Sequence, residues 1–157
     1  MDDISPLMKI TRRCIQNLDD NGVYQWDEIY PSEADFREDI ADQSLYITTV
    51  APADKVSGCI CINEIEHPGY DDAEWTGSDF LVIHKMIIDP LFENQGHGKF
   101  AMNFAEELSA LKKKDSLRLD CFQKNLRANR FYQGFGYVIK GETLFRKGMF
   151  NLYEKII

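Results

Sequence analysis

The sequence predicts a mixed α/β domain on three observations. Apolar runs with strand character, at residues 45–50, 56–62 and 81–88, stand between segments with helical spacing. The run at 81–88 passes through Asp89-Pro90 and a polar, glycine-containing loop into another helical pattern. The chain has 157 residues, 44% of them hydrophobic, which suits one domain (1–157) with a full core and argues against disorder.

Taken in order, Ser5-Pro6 reads as a helix start, with Ser as N-cap and Pro at the first helical position. Leu7, Ile10, Cys14 and Leu18 then recur at helical spacing until Asp19-Asp20-Asn21-Gly22 stops the helix. Residues 23–30 carry Tyr24, Trp26 and Tyr30, whose rings suit the packing of a loop onto a core. Ser32 with Asp35 predicts a capping-box start for a second helix, with Phe36 and Ile40 as its stripe. Residues 45–50 are rich in β-branched side chains. Residues 56–62 are nearly apolar on both faces, so that strand is expected to be central.

A long connection, 63–79, contains Glu64, Glu66, Asp71, Asp72, Glu74 and Asp79. It reads either as a solvated acidic loop or as a lid that attracts a cation. After the 81–88 strand and its loop, Phe100, Phe104, Leu108 and Leu111 predict a helix face, with Ala101 and Ala105 beside it. Lys112 to Lys114 fall where the helix macrodipole favours cations. Residues 117–122 alternate as a strand. Residues 125–133 form a short helix ended by Gly134 and Gly136. The last strands are expected at 138–140 and 149–156, with a turn at Lys147-Gly148.

The formal charge of -8 argues against a nucleic-acid partner and suits a cationic or amine ligand. The four cysteines include no C-x-x-C, so they read as small buried residues of a reducing cytosol rather than a metal site. No signal pattern or apolar run of membrane length is present, and the expected location is cytoplasmic.

Strand, glycine loop and helix start together form an arrangement that holds phosphate, because the amides of a helix N-terminus favour negative charge. Three versions compete. A Walker loop fails, because Phe100 follows Gly98-Lys99 where a hydroxyl is needed. Gly96-His97-Gly98-Lys99-Phe100-Ala101 matches G-x-G-x-x-A, and Asp120 lies near the acidic position of a dinucleotide fold. However, residues 89–95 separate the strand from the first glycine, and too little chain follows to complete a doubly wound sheet. The third version is Gln-x-x-Gly-x-Gly/Ala after a strand, here Gln95 and Gly98, with Phe100 at the final position.

A second stretch decides between them. Asn125, Ala128, Tyr132, Gly136 and Tyr137 follow N-x-x-A-x-x-x-Y-x-x-x-G-F/Y, one strand after the loop. Both motifs, in this order and spacing, resemble the GNAT N-acetyltransferases from about residue 81 onward. That resemblance implies a central, mostly antiparallel, twisted sheet splayed at its middle and flanked by about four helices. The usual first strand would be short or missing, since only four residues precede the first helix.

It also implies acetyl-CoA as cosubstrate, no metal, and an amine of a small molecule or peptide as acceptor. Relatives often dimerise, so a homodimer stays open. By the same resemblance, amides of Gln95, Gly96, His97, Gly98, Lys99 and Phe100 hold the pyrophosphate. The backbone of Met86, Ile87 and Ile88 serves the thioester and pantetheine, and Asn125 the pantetheine arm or the helix start. Tyr132 protonates the leaving thiolate. Tyr24, Trp26 and Tyr30 wall the acceptor pocket, if they do not merely pack. His84 and Glu64 are the candidate bases, with a water chain as the third choice. Rival readings are a coenzyme A-binding module without catalysis, suggested by Phe100, and a dinucleotide-binding oxidoreductase.

Overall fold

The computed structural model describes residues 4–157. The short first strand suggested by the resemblance falls outside the described residues. The described elements are α1 (Ser5–Asp20), α2 (Glu33–Ala41), β1 (Leu45–Val50), β2 (Lys55–Asn63), β3 (Phe80–Ile88), α3 (His97–Leu111), β4 (Ser116–Phe122), α4 (Leu126–Gly134), β5 (Val138–Phe145) and β6 (Gly148–Ile156). The strands form a six-stranded sheet in the order β1-β2-β3-β4-β6-β5. Pairs β1/β2, β4/β6 and β5/β6 are antiparallel, and β3/β4 is parallel. The β3/β4 register runs from Phe80↔Ser116 to Ile83↔Leu119, while β3 itself continues to Ile88. The mixed, mostly antiparallel sheet with four helices is the predicted class.

Two compact units are distinguished: the chain up to Ile62 with Lys85–Phe104, and Asn63–His84 with Ala105–Ile157. The division runs through β3 and α3 rather than through linkers.

In the first unit, Leu7, Ile10 and Cys14 of α1 are buried with Phe36, Cys59 and Ile87, and Trp26 packs against this cluster. The N-cap of α1 is Ile4, not Ser5, and no side chain caps it; Pro6 still sits in the first turn, where its missing N–H costs nothing. Ser32 caps α2 as predicted. Its hydroxyl accepts from the Asp35 amide at 3.3 Å, and the Asp35 carboxylate accepts from the Ser32 amide at 2.6 Å. β2 is buried from Ser57 to Ile62, as an apolar strand should be. Gly58 is required there, because a Cβ would lie 2.2 Å from the Ile87 carbonyl oxygen.

Lys85 adopts φ 42° inside β3, a left-handed conformation that only a special environment sustains in a non-glycine residue. Its ammonium lies 2.9 Å from Asp39 Oδ2, with both side chains nearly enclosed, at 8% and 11% exposure.

In the second unit, the acidic connection is a docked segment rather than a free lid. Residues 68–72 form a single 3₁₀ turn that buries Tyr70 completely. Thr143 Oγ1 donates to Asp72 at 3.1 Å, and Arg118 pairs with Glu66 and stacks under Trp75 and Phe80. Buried Glu154 accepts from the Thr76 and Gly77 amides at 2.9 and 3.0 Å. The acidic composition of the connection gave no sign that Tyr70 and Trp75 anchor it. Asp71 and Glu74 do remain exposed.

The face of α3 is rotated from the predicted one. Ala101, Met102, Ala105 and Ser109 are buried, whereas Phe100 is 66% and Leu111 80% exposed. Of the expected stripe, Phe104 and Leu108 are half-buried and the two end residues turn outward, while Met102 and the small residues face inward. Beyond Leu111 the chain turns at Lys113 (φ 58°), and Lys114 pairs with Asp79 and Glu64. β5 extends to Phe145, and a two-residue hairpin, Arg146-Lys147, joins it to Gly148 at φ 132°. No helix among the described residues is long and apolar enough to cross a membrane.

Candidate functional site

The glycine loop belongs to the first unit and is anchored at its start. Asp89 is fully buried and takes both ends of the Arg13 guanidinium, at 3.0 and 2.5 Å. Its carboxylate also accepts from the Leu91 amide, and its own amide donates to the Ser57 carbonyl at 2.8 Å. Burial alone would raise this carboxyl. The hydrogen bonds from Arg13 and Leu91 and the Arg13 charge outweigh it and hold the group below the usual carboxylate range.

A group held down in this way contributes stability above its unfolded pKa, about 4, and loses it as pH falls through the lower folded value. Arg13→Ala should therefore melt below the wild type at about pH 7, and the gap should close as pH falls through the acid range. Melting curves from neutral pH into acid test this, and a gap independent of pH would remove the pair from the account.

From this anchor the chain makes two left-handed steps, Asn94 at φ 58° and Gly96 at φ 89°. A Cβ on Gly96 would meet nothing within 4 Å, so glycine is needed there for backbone freedom, not for space. The first intrahelical bond of α3 runs from the Phe100 amide to the Gly96 carbonyl at 2.9 Å. This narrows the expected amide set. Phe100 N–H is already bonded, and the amides preceding the first helical bond are those of His97, Gly98 and Lys99. No acidic residue occupies that first turn. The Gln95 side chain folds back and donates to the Leu91 carbonyl at 3.1 Å. His97 Nδ1 lies 3.3 Å from Ser57 Oγ, and its ring packs at 5.4 Å from Phe92, while Lys99 is exposed. Near the end of β3, Met86 and Ile88 are half-buried and Ile87 is enclosed. The Ile88 carbonyl accepts from the Cys14 thiol at 3.1 Å.

The aromatic trio of residues 23–30 separates. Trp26 packs on the core, Tyr30 lies with its ring 5.5 Å from the Lys85 ammonium, and Tyr24 is 61% exposed.

The second unit holds the signature helix. Asn125 is the N-cap of α4, its side-chain oxygen accepting from the Ala128 amide at 3.1 Å. Two turns on, Tyr132 is buried among Phe131, Tyr137 and Tyr153, at ring distances of 5.5, 6.3 and 6.2 Å. Burial, aided by Cys121, Asp120 and the neighbouring phenols, pushes its hydroxyl well above the usual tyrosine range. It is thus a phenol, not a phenolate, at neutral pH. Among the described residues its hydroxyl makes no hydrogen bond, yet it is not one of the sealed polar atoms, as the Tyr137 hydroxyl is.

The two expected bases are engaged. His84 Nε2 lies 3.0 Å from Asn63 Oδ1 and 3.2 Å from the Ile65 carbonyl, so that nitrogen carries the proton. Glu64 is exposed and pairs with Lys114 at 3.1 Å.

Sequence reasoning passed over a buried polar network behind α4. Asn129 donates to the Phe122 carbonyl at 2.9 Å and accepts from the Tyr153 hydroxyl and the Asn151 amide, both at 2.8 Å. Gln133 in turn donates to Tyr153 at 3.2 Å. The recurrence of Asn125, Asn129 and Gln133 on one helical face was the available signal. Asp120, whose Oδ2 accepts from the Tyr70 hydroxyl at 2.9 Å, was noticed only as a dinucleotide feature. Among the described residues no group of three or more His, Cys, Asp or Glu is placed to hold a metal ion.

A family model described as the Acetyltransferase (GNAT) family matches residues 11–137. The fold is similar to a GNAT-family acetyltransferase from Streptococcus agalactiae, with TM-score 0.81, 20% identity, and coverage of 98% of this chain and 90% of that one. It is also similar to the PaiA N-acetyltransferase of Thermoplasma acidophilum in complex with coenzyme A, with TM-score 0.73, 14% identity, and coverage of 99% and 94%. A third similar structure is the NatC complex bound to Gag peptide and CoA, with TM-score 0.66, 15% identity, and coverage of 85% and 84%.

Proposed function

The chain belongs to the GNAT acetyltransferase family, and on that premise we propose that it transfers the acetyl group of acetyl-CoA to a primary amine of a small molecule or peptide, by direct attack with both substrates bound. The observation that carries this reading is the start of α3. Gly96 opens a turn whose next three amides precede the first helical hydrogen bond, and no acidic residue stands in that first turn. Such a turn suits a diphosphate, and its donors fit the coenzyme A end of acetyl-CoA.

His97, Gly98 and Lys99 bind the phosphates through backbone N–H, and the Arg13–Asp89 pair holds the loop that presents them. Met86, Ile87 and Ile88 offer backbone to the carbonyl oxygen and the pantetheine amides. Acetyl-CoA supplies an acyl group already activated as a thioester. The protein then has to orient the amine, accept its proton and donate one to the sulfur. Tyr132 is the donor, since its environment keeps it protonated. Asn125 secures the first turn of the helix that carries it. Tyr24, Trp26 and Tyr30 remain the aromatic wall offered to the acceptor. Neighbours in fold include both a proposed streptothricin acetyltransferase from Bacillus anthracis and a complex bound to Gag peptide, which supports keeping both acceptor classes.

Calorimetric titration with acetyl-CoA, followed by free-thiol release on a panel of amines, tests the reading. The panel comprises a polyamine, an aminoglycoside, an amino acid and a peptide with a free N-terminus. Saturable binding and release with at least one amine are expected. Binding with no release on any amine would favour the non-catalytic module, for which the exposed Phe100 ring at a usual Gly/Ala position is the observation. Absence of acetyl-CoA binding would end the proposal.

A further inference from the structure

The last residues of β3, Met86 to Ile88, lie between ion pairs made to different helices. Upstream, the Lys85 ammonium sits 2.9 Å from Asp39 Oδ2 and 3.1 Å from Asp39 Oδ1, on α2. Downstream, Asp89 takes both ends of the Arg13 guanidinium of α1. The stretch between them is tethered as well. Gly58 leaves room for the Ile87 carbonyl, and the Ile88 carbonyl accepts from the Cys14 thiol at 3.1 Å. All of these contacts fall within the first unit.

Lys85 lies inside a strand, yet its φ is 42°. Such a step is unfavourable for any residue with a Cβ and persists where the surroundings impose it. Here the surroundings are explicit. The Asp39 carbonyl accepts from the Ser44 amide at 2.9 Å and from the Ser44 hydroxyl at 3.2 Å, which fixes the end of α2 and the carboxylate with it. The Tyr30 ring lies 5.5 Å from the ammonium. Both charged side chains are nearly enclosed, so neither exchanges its partner for water. Returning residue 85 to an extended backbone would re-aim its side chain and draw the ammonium off the carboxylate.

Stability does not explain this arrangement. Apolar residues of the same volume commonly stabilise a fold as well as a buried ion pair does, or better. An extended apolar residue at position 85 would avoid both the desolvation of two charges and the left-handed backbone. What the pair adds is one defined conformation for the chain that follows it.

We propose that Lys85 and Asp39 are positioning residues for acetyl transfer: the pair holds the left-handed step that aims the backbone of Met86 to Ile88 at the thioester carbonyl. This rests on the acetyl-transfer reading above, in which that backbone serves the carbonyl oxygen. Neither side chain touches substrate, and the ammonium, committed to its carboxylate, supplies no proton. The effect is geometric, since a misplacement of about 1 Å costs on the order of 100-fold in rate. The amides of His97, Gly98 and Lys99 lie beyond Asp89, which has its own anchor in Arg13. Loss of the Lys85 pair should therefore separate turnover from coenzyme binding.

The test compares variants that spare the fold. Lys85→Met with Asp39→Leu removes both charges at similar volume. Lys85→Gly with Asp39→Leu removes them too, but leaves the left-handed backbone accessible. Asp39→Asn keeps the shape of the carboxylate and loosens its hold. The first readout needs no acceptor: the Cα NMR shift and the amide–Hα coupling of residue 85, which report φ. They should mark a left-handed residue in the wild type and an extended one in the Met/Leu protein. The second readout is thiol release with the fastest amine of the panel. The Met/Leu protein should keep its acetyl-CoA affinity and its KM for the amine within a few-fold, and lose on the order of 100-fold in kcat. The Gly/Leu protein should regain part of that loss, and Asp39→Asn should show the same split at smaller size.

An extended residue 85 in the wild type, or wild-type kcat in the folded Met/Leu protein, would overturn the proposal while leaving acetyl transfer standing. Equal loss in the Met/Leu and Gly/Leu proteins would overturn it too, because the ammonium rather than the backbone would then be at work. No thiol release by the wild type on any amine would remove the acetyl-transfer reading and this proposal with it.

Discussion

Replacing Lys85 with alanine is expected to lower the free energy of unfolding by about 3–5 kcal/mol, the cost of stranding a buried charge. The Lys85 and Asp39 side chains are nearly enclosed, and the ammonium meets both carboxylate oxygens, at 2.9 and 3.1 Å. Without it, Asp39 must either ionise unpaired or bind a proton. The paired variant Lys85→Met with Asp39→Leu removes both charges at similar volume and should recover most of the loss. Lys85→Gly should be milder than Lys85→Ala by about 1 kcal/mol, because glycine relieves the left-handed backbone at φ 42°. Urea denaturation of the four proteins decides the matter. A loss under about 1 kcal/mol for Lys85→Ala would mean the pair is effectively solvated.

Tyr132→Phe should lower kcat by on the order of 100-fold while acetyl-CoA binding stays within a few-fold and the melting temperature hardly moves. The stability expectation follows from the environment of the hydroxyl. Among the described residues it makes no hydrogen bond, so its removal strands no partner, and the ring contacts with Phe131, Tyr137 and Tyr153 persist. The kinetic expectation follows from its raised pKa, which keeps the phenol protonated over the whole physiological range. Stopped-flow release of coenzyme A from about pH 6 to 10, a span that crosses the ordinary thiol range while the Tyr132 phenol stays protonated, is the measurement. Unchanged kcat across that span would exclude Tyr132 as the donor.

The elements easiest to read from sequence were those whose local chemistry is self-contained. Ser32 and Asp35 bond reciprocally as a capping box, and β2 is buried along an unbroken apolar run. Asn125, chosen by motif, is indeed the N-cap of α4. What was misread depends on tertiary partners. The face of α3 was centred on bulk: Ala101 and Ala105, expected beside it, are buried together with Met102 and Ser109, while Phe100 and Leu111 are exposed. Composition gave the acidic connection a solvated or lid-like character, yet Tyr70 and Trp75 pin it down through partners at Asp120 and Arg118, far away in sequence. The glycine loop before α3 was legible as a pattern of glycines. Its anchor was not, because Arg13 and Asp89 are 76 residues apart. Asp120 shows the same limit, since its significance lies in the hydroxyl that reaches it from residue 70.

The four cysteines have a practical consequence. All are buried thiols outside any disulfide, and burial pushes Cys14 and Cys121 up to about 12 and Cys61 up to about 11. At neutral pH they are un-ionised and shielded, so a chromogenic disulfide added to a reaction counts liberated coenzyme and ignores the enzyme. Any slow additional colour, approaching four equivalents per chain, would mark denaturation during the measurement.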